Sequence, residues 1–344
     1  MYAFEEKVAK LVEEKKIAGL SLAVTDSEKI FYAKGFGVES VERPFVPVVP
    51  ESLFRIASIS KVVTGLTILR LVEEGVLDLD CPIREYIPWL TLTRPEALEQ
   101  MTLRSLLSHT SGFPAEYTPD GPREESALEE SLMTGIPGLP LATLPSERIF
   151  LYSNWGIRLA SYIAQLQTGR MFTDLAKHYV LNPLGMCYTT YDLHDAATYP
   201  LSLPHVVGED GNLQVVHHIQ ENAARHAAGG LFSNTIDLCK LARLLLKEGT
   251  TAAGEQLVKS ETIREMFTSQ NATGRGPKGD YGLTTHIHKY GERIFYGHLG
   301  SAVPYMSSLF VEPAIGYGVV TLLNTEQAEM RTVVPEMILE ELGK

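Results

Sequence analysis

The stretch Val62 to Leu71 is apolar at nearly every position, interrupted only by Thr64, Gly65, Thr67 and Arg70. A helix that is apolar on most sides has no face for water and is buried in a core. The helix expected here runs from about Ser58 to Glu74 and stops at Gly75. Its first turn carries Ser58 and Lys61, the one Ser-x-x-Lys in the chain. Positions i and i+3 share a helix face, about 5–6 Å apart at Cβ. The lysine amine can therefore reach the serine hydroxyl, which is a weak nucleophile until a base takes its proton. Burial and the positive helix N-terminus both disfavour an ammonium, so this lysine is expected to titrate well below the usual ~10.4. Standing alone, such a motif is more often a helix cap followed by a surface lysine.

Two further elements change that reading. Tyr152-Ser153-Asn154 is the one Tyr-x-Asn in the chain, and Asn154 is a fair N-cap for a helix over Trp155 to Gln167. Beside a Ser-Lys pair, the phenol could relay a proton. The amide could hydrogen-bond the lysine and a substrate carbonyl. His298-Leu299-Gly300-Ser301 follows an apparent hairpin, Leu283 to His288 and Arg293 to His298 around Lys289-Tyr290-Gly291-Glu292. A glycine near a strand end admits another backbone or a ligand. Lys247-Glu248-Gly249 and Lys289-Tyr290-Gly291 compete for this role, but the first reads as a helix end and the second as a turn.

Together these motifs resemble the branch of serine β-lactamases and penicillin-binding proteins that uses Ser-x-x-Lys, Tyr-x-Asn and His/Lys-x-Gly. That branch includes class C β-lactamases, D-alanyl-D-alanine carboxypeptidases, esterases and D-aminopeptidases. Leu106-Leu107-Ser108-His109-Thr110-Ser111-Gly112, Phe150-Leu151-Tyr152-Ser153-Asn154, Pro183-Leu184-Gly185-Met186 and Ala228-Gly229-Gly230-Leu231-Phe232-Ser233 are similar to its signatures, in the expected order over about residues 5 to 325. The resemblance implies an acyl-enzyme on Ser58, with Lys61 and Tyr152 as proton-transfer groups. It implies substrate contacts at Asn154, His298, Leu299, Gly300 and Ser301, and an oxyanion held by the amides of Ser58 and Ser301. His109 reads as a structural histidine.

Strands are expected at Leu20 to Thr25 and Ile30 to Phe36, and again at about 282–288, 293–298, 305–311 and 316–323. Helices are expected near 102–108, 124–133, 155–168, 172–180, 234–247 and 261–268, with a loop-rich rim from Pro114 to Pro145. Pro335 either starts or kinks the last helix. Fold class is thus α/β of the α+β type. A mixed, mainly antiparallel sheet would be built from residues 1–80 and 225–344, with 81–224 as a helical insert. The resemblance implies the same architecture, with the site between the two regions.

A net charge of −12 argues against a nucleic-acid surface. No apolar run approaches the ~18 residues of a membrane span. Met1 to Lys7 begins an amphipathic helix, not a signal peptide, so a cytoplasmic chain is expected unless an export signal has been removed. Cys81, Cys187 and Cys239 read as buried thiols. His286 with His288, and His217 with His218, lack a third ligand at zinc spacing, so no metal or cofactor is expected. No Gly-x-Ser-x-Gly elbow is present.

Two classes of function remain: an acyl-transferring serine hydrolase, or a non-catalytic penicillin-binding sensor on the same fold. All the chemical positions are present, which favours the enzyme, acting on a small-molecule or peptide-like ester or amide. Relatives that bind β-lactams or D-alanyl peptides usually place a hydroxyl residue where Leu299 stands. Its loss removes a charge-assisted bond to a substrate carboxylate, worth roughly 1.5–3 kcal/mol. That leans the reading towards a carboxylesterase, with a β-lactamase or D-amino-acid peptidase as the alternative.

Overall fold

The computed structural model describes residues 3–116, 120–124, 126–271 and 279–344. Helix α1 (Ala3–Glu14) buries Phe4 and Val8 and exposes its charged face. Strands β1 (Gly19–Thr25) and β2 (Ile30–Gly37) form the expected hairpin. Asp26 shapes its turn, its Oδ1 accepting the amides of Glu28 and Lys29 at 2.7 and 2.8 Å. Strand β3 (Phe54–Arg55) leads through a 3-10 turn, Ala57–Ile59, into α2 (Ser60–Glu73). The middle of the chain supplies α3 (Leu103–Leu107), α4 (Ala127–Gly135), α5 (Asn154–Thr168), α6 (Phe172–Ala176) and α7 (Leu193–Ala196). Then come the hairpin β4 (His205–Val207) and β5 (Leu213–Val215), helix α8 (His226–Gly229), strand β6 (Phe232–Ser233), α9 (Thr235–Leu246) and α10 (Ser260–Met266). The chain closes with β7 (Gly279–Tyr281), β8 (His286–Tyr290), β9 (Arg293–Ala302), β10 (Tyr305–Glu312), β11 (Tyr317–Leu323) and α11 (Met330–Leu342).

Among the described residues, seven strands make one sheet in the order β2-β1-β11-β10-β9-β8-β7, with every pairing antiparallel. The two ends of the chain meet at its centre, where Leu20 faces Leu323 and Val24 faces Val319. One face of the sheet packs under α1 and α11 through Phe4, Val8, Leu22, Phe310, Val334 and Ile338. The other packs on a larger core that takes in α2, α3, α5 and α9. Helix α2 is enclosed as its sequence demands: Val62, Val63, Leu66, Ile68 and Leu69 are all 1% exposed or less. Each such side chain contributes about 1.5–3 kcal/mol by leaving water.

Several expectations need correction. The α-helix begins at Ser60, not Ser58, because Ala57 has a left-handed φ of +48° and the chain first makes the 3-10 turn. The strand expected from Leu283 to His288 starts only at His286. Gly282 and Thr285 close a turn by a 2.9 Å backbone bond, with Thr284 at φ +54°. Strand β9 runs past His298 to Ala302, because β10 pairs with it from Tyr296 to Ala302. Pro335 lies inside α11. Of the cysteines expected to be buried, only Cys239 is: Cys81 is half-buried and Cys187 is exposed, beyond the turn at Gly185. Within the expected loop-rich rim, residues 117–119 and 125 lie outside the described residues.

Candidate active site

Lys61 Nζ lies 3.0 Å from Ser58 Oγ and donates to the Ala228 carbonyl at 2.6 Å. The lysine is fully buried. Burial lowers its pKa to about 7, Glu116 opposes that shift and Arg225 adds to it. Near neutral pH a large fraction of this amine is therefore unprotonated and able to accept the Ser58 proton. The strained Ala57 before Ser58, at a cost on the order of 1–3 kcal/mol, is pinned where Ser60 Oγ donates to its carbonyl at 2.7 Å.

Tyr152 completes the group. Its hydroxyl is 2.9 Å from Ser58 Oγ, and Lys61 Nζ sits 5.0 Å from the centre of its ring. His109 fixes this tyrosine. The Leu151 amide bonds the His109 carbonyl at 2.8 Å, the Ser153 amide donates to His109 Nδ1 at 3.2 Å, and the two rings lie 4.3 Å apart. The histidine read as structural is buried and supports the segment that carries Tyr152. Asn154 differs from expectation. It is the first residue of α5, with Ser153 at the cap position, and its Nδ2 donates to the Glu116 carbonyl at 3.3 Å, while Lys61 Nζ bonds Ser58 Oγ and the Ala228 carbonyl.

Strand β9 forms the opposite wall. It pairs with β8 only as far as Gly297, and beyond the end of β8 His298, Leu299, Ser301 and Ala302 border the cleft. Gly300 is required by close approach: a Cβ there would fall 2.4 Å from the Ile56 carbonyl and 2.0 Å from Ser307 Oγ. His298 is buried, with Nδ1 on the Leu299 carbonyl at 2.5 Å and Nε2 2.9 Å from the Tyr281 hydroxyl. The carbonyl can only accept, so Nδ1 carries a proton. Leu299 lines the cleft but also packs against the core beneath α11.

The cleft has a volume of about 400 Å³. Ser58, Tyr152, Asn154, His298, Leu299 and Ser301 line it, while Lys61 and Gly300 are buried behind. It also contains groups that sequence motifs did not disclose. Arg158 and Glu116 form a buried ion pair, and burial lowers the Arg158 pKa. Arg225 and Arg331 line the cleft too, and Arg331 donates to the carbonyls of Ala328 and Gly300 at 2.9 and 3.2 Å. His286, weighed as half of a metal pair, lies 4.5 Å from the His298 ring, whereas His288 pairs with Glu336 at 2.7 Å. His217 and His218 pair with Glu42 and Asp120 at the surface. Only the spacing of Arg158 from Asn154, one helical turn on, could have drawn attention to any of these residues.

The profile of the Beta-lactamase family matches residues 4–342. Protein flp of Staphylococcus aureus (strain MW2) is 27% identical over 319 residues, covering 90% of this chain and 60% of that protein. The chain thus spans less than two thirds of this relative's length. The octameric penicillin-binding protein homologue from Pyrococcus abyssi superposes with a TM-score of 0.78 at 26% identity, covering 99% of this chain and 77% of the other. EstCE1, a hydrolase with promiscuous acyltransferase activity, gives a TM-score of 0.80 at 19% identity, covering 98% and 97%. With a match across almost its whole length, and a fold shared with these structures, the chain belongs to the Beta-lactamase family.

Proposed function

We propose that this protein is a serine hydrolase working through a covalent acyl-enzyme on ester or amide bonds. The observation that carries this reading is the convergence of Lys61 Nζ and Tyr152 Oη on Ser58 Oγ, at 3.0 and 2.9 Å. Neutral Lys61 takes the Ser58 proton as Oγ bonds to the substrate carbonyl carbon. The oxyanion is held by the amides of Ser58 and Ser301, the first of them in a helical first turn where N–H groups lack intrahelical partners. Tyr152 gives its own hydroxyl proton to the leaving alcohol or amine as the carbonyl–heteroatom bond breaks, and recovers a proton from the Lys61 ammonium. Water then attacks the acyl-enzyme by the same route in reverse, releasing the acid and restoring Ser58.

For the substrate, position 299 supplies no hydroxyl to hold a carboxylate, and Arg331 is engaged with two backbone carbonyls. This supports uncharged esters. A second reading rests on Arg225 and Arg331 in the cleft, which would suit an acid-bearing amide or β-lactam. Specificity constants for nitrophenyl butyrate and a chromogenic cephalosporin separate the two. The butyrate should be preferred, and both activities should vanish in Ser58→Ala. Preference for the cephalosporin would replace the first reading by the second. Undiminished hydrolysis in Ser58→Ala would remove both.

A further inference from the structure

A second cavity of about 340 Å³ lies behind one wall of the active-site cleft. The wall is the segment 223–229. Arg225, Ala228 and Gly229 border the cleft, while Ala224, His226 and Ala227 border the second cavity. The same segment grips α2 from outside: Thr64 Oγ1 donates to the Ala227 carbonyl and Lys61 Nζ to the Ala228 carbonyl, each at 2.6 Å. Any shift of this wall is therefore felt directly at the amine beside Ser58.

The interior of the cavity is suited to a ligand. Leu128, Met171 and Phe172 give it an apolar lining. Tyr191 belongs to its wall, is 5% exposed, and has a buried hydroxyl with no hydrogen-bond partner among the described residues. A buried polar group left so costs stability. The His226 ring, 5.3 Å from that of Tyr191, is kept neutral by burial, which lowers its pKa to about 4. A neutral imidazole offers one donor and one acceptor. Charge at the rim is balanced, with Arg123 paired to Glu221 at 2.6 Å. Nothing there selects an ion. The volume lies at the lower end of small-molecule sites, which combine an apolar lining with few polar groups.

We propose that this cavity binds a small neutral molecule with an apolar body and one hydroxyl or carbonyl group, and that its occupancy changes the acyl-transfer rate at Ser58 through the His226–Ala228 wall. The binding half stands on the cavity alone, and the rate half rests on the serine hydrolase reading.

The probe is 4-propylphenol, followed by saturation-transfer NMR on the full chain. Thr173→Trp and Gln165→Trp, which change two cavity-lining residues outside the cleft, each fill the space. Saturable binding is expected in the wild type, weakened about tenfold or more in both variants. At saturation the probe should change kcat for nitrophenyl butyrate by roughly fivefold, with KM little altered. No saturable binding, or binding that both tryptophan variants leave intact, overturns the site. Binding with unchanged kcat overturns the coupling, and a rise in KM alone places the probe in the cleft and overturns the site. Full hydrolysis by Ser58→Ala would refute the hydrolase reading while leaving the NMR result standing.

Discussion

In the proposed mechanism, Lys61 is the residue on which the chemistry turns. With its pKa lowered to about 7 by burial, it is protonated below that pH and cannot accept the Ser58 proton. Above it the amine is neutral. The acylation rate constant should therefore rise with pH through about 7 and level off above it. Stopped-flow acylation across that range checks this, and a flat profile would contradict it. Lys61→Ala and Tyr152→Phe should each lose about 10²–10⁴-fold in acylation, the usual contribution of a proton-transfer group. Full activity in Tyr152→Phe would reduce the tyrosine to a wall of the cleft. The Ser58–Lys61 pair was legible because three residues of spacing in a helical turn fix their proximity. Glu116, Arg225 and Arg331 were not, because each enters the cleft from a different element and only tertiary packing brings them together, whereas Arg158 follows Asn154 by one turn of α5.

At the scale of the element, β9 tests the account. Gly300 lies so close to Ile56 and Ser307 that a Cβ has no room. Gly300→Ala should destabilise the fold by about 1–3 kcal/mol, in the range of overpacking, and cut kcat by displacing Ser301. Paired chemical denaturation and kinetics would show both effects, and an unchanged midpoint would mean that the strand yields. Leu299→Thr should raise the cephalosporin-to-butyrate ratio of specificity constants. An unmoved ratio would mean that the leucine serves only the core under α11. Element reading from sequence succeeded where periodicity was strong: α2, the β1–β2 hairpin, and α9, expected over 234–247, which the structure caps with Asn234, its side chain accepting the Asp237 amide at 2.8 Å. It failed at Gly282 to Thr285, read as the start of a strand, where the chain turns back on itself. Pairs as short as β3–β6 carry no periodic signal at all.

For the whole molecule, the decisive architectural fact is that β1 and β11 join the two ends of the chain in one sheet. The sequence showed strands at both ends and helices between, which was enough to anticipate that closure. It could not show the order β11-β10-β9, which sets the His298 segment opposite Ser58. Helix α2 is the centre of the larger core, with Leu66 fully buried. Leu66→Ala should lower the unfolding free energy by about 2–5 kcal/mol, read by denaturant titration. A loss near zero would mean that the core collapses around the missing side chain.

The central claim is that Ser58 becomes covalently acylated because Lys61 is neutral beside it. The most direct measurement is peptide mass mapping after reaction with an active-site-directed aryl phosphonate, in the wild type and in Lys61→Ala. The account predicts one adduct, on the peptide containing Ser58, formed far more slowly in the variant. An adduct on another residue, no adduct on a hydrolytically active protein, or equal rates in the two proteins would contradict it.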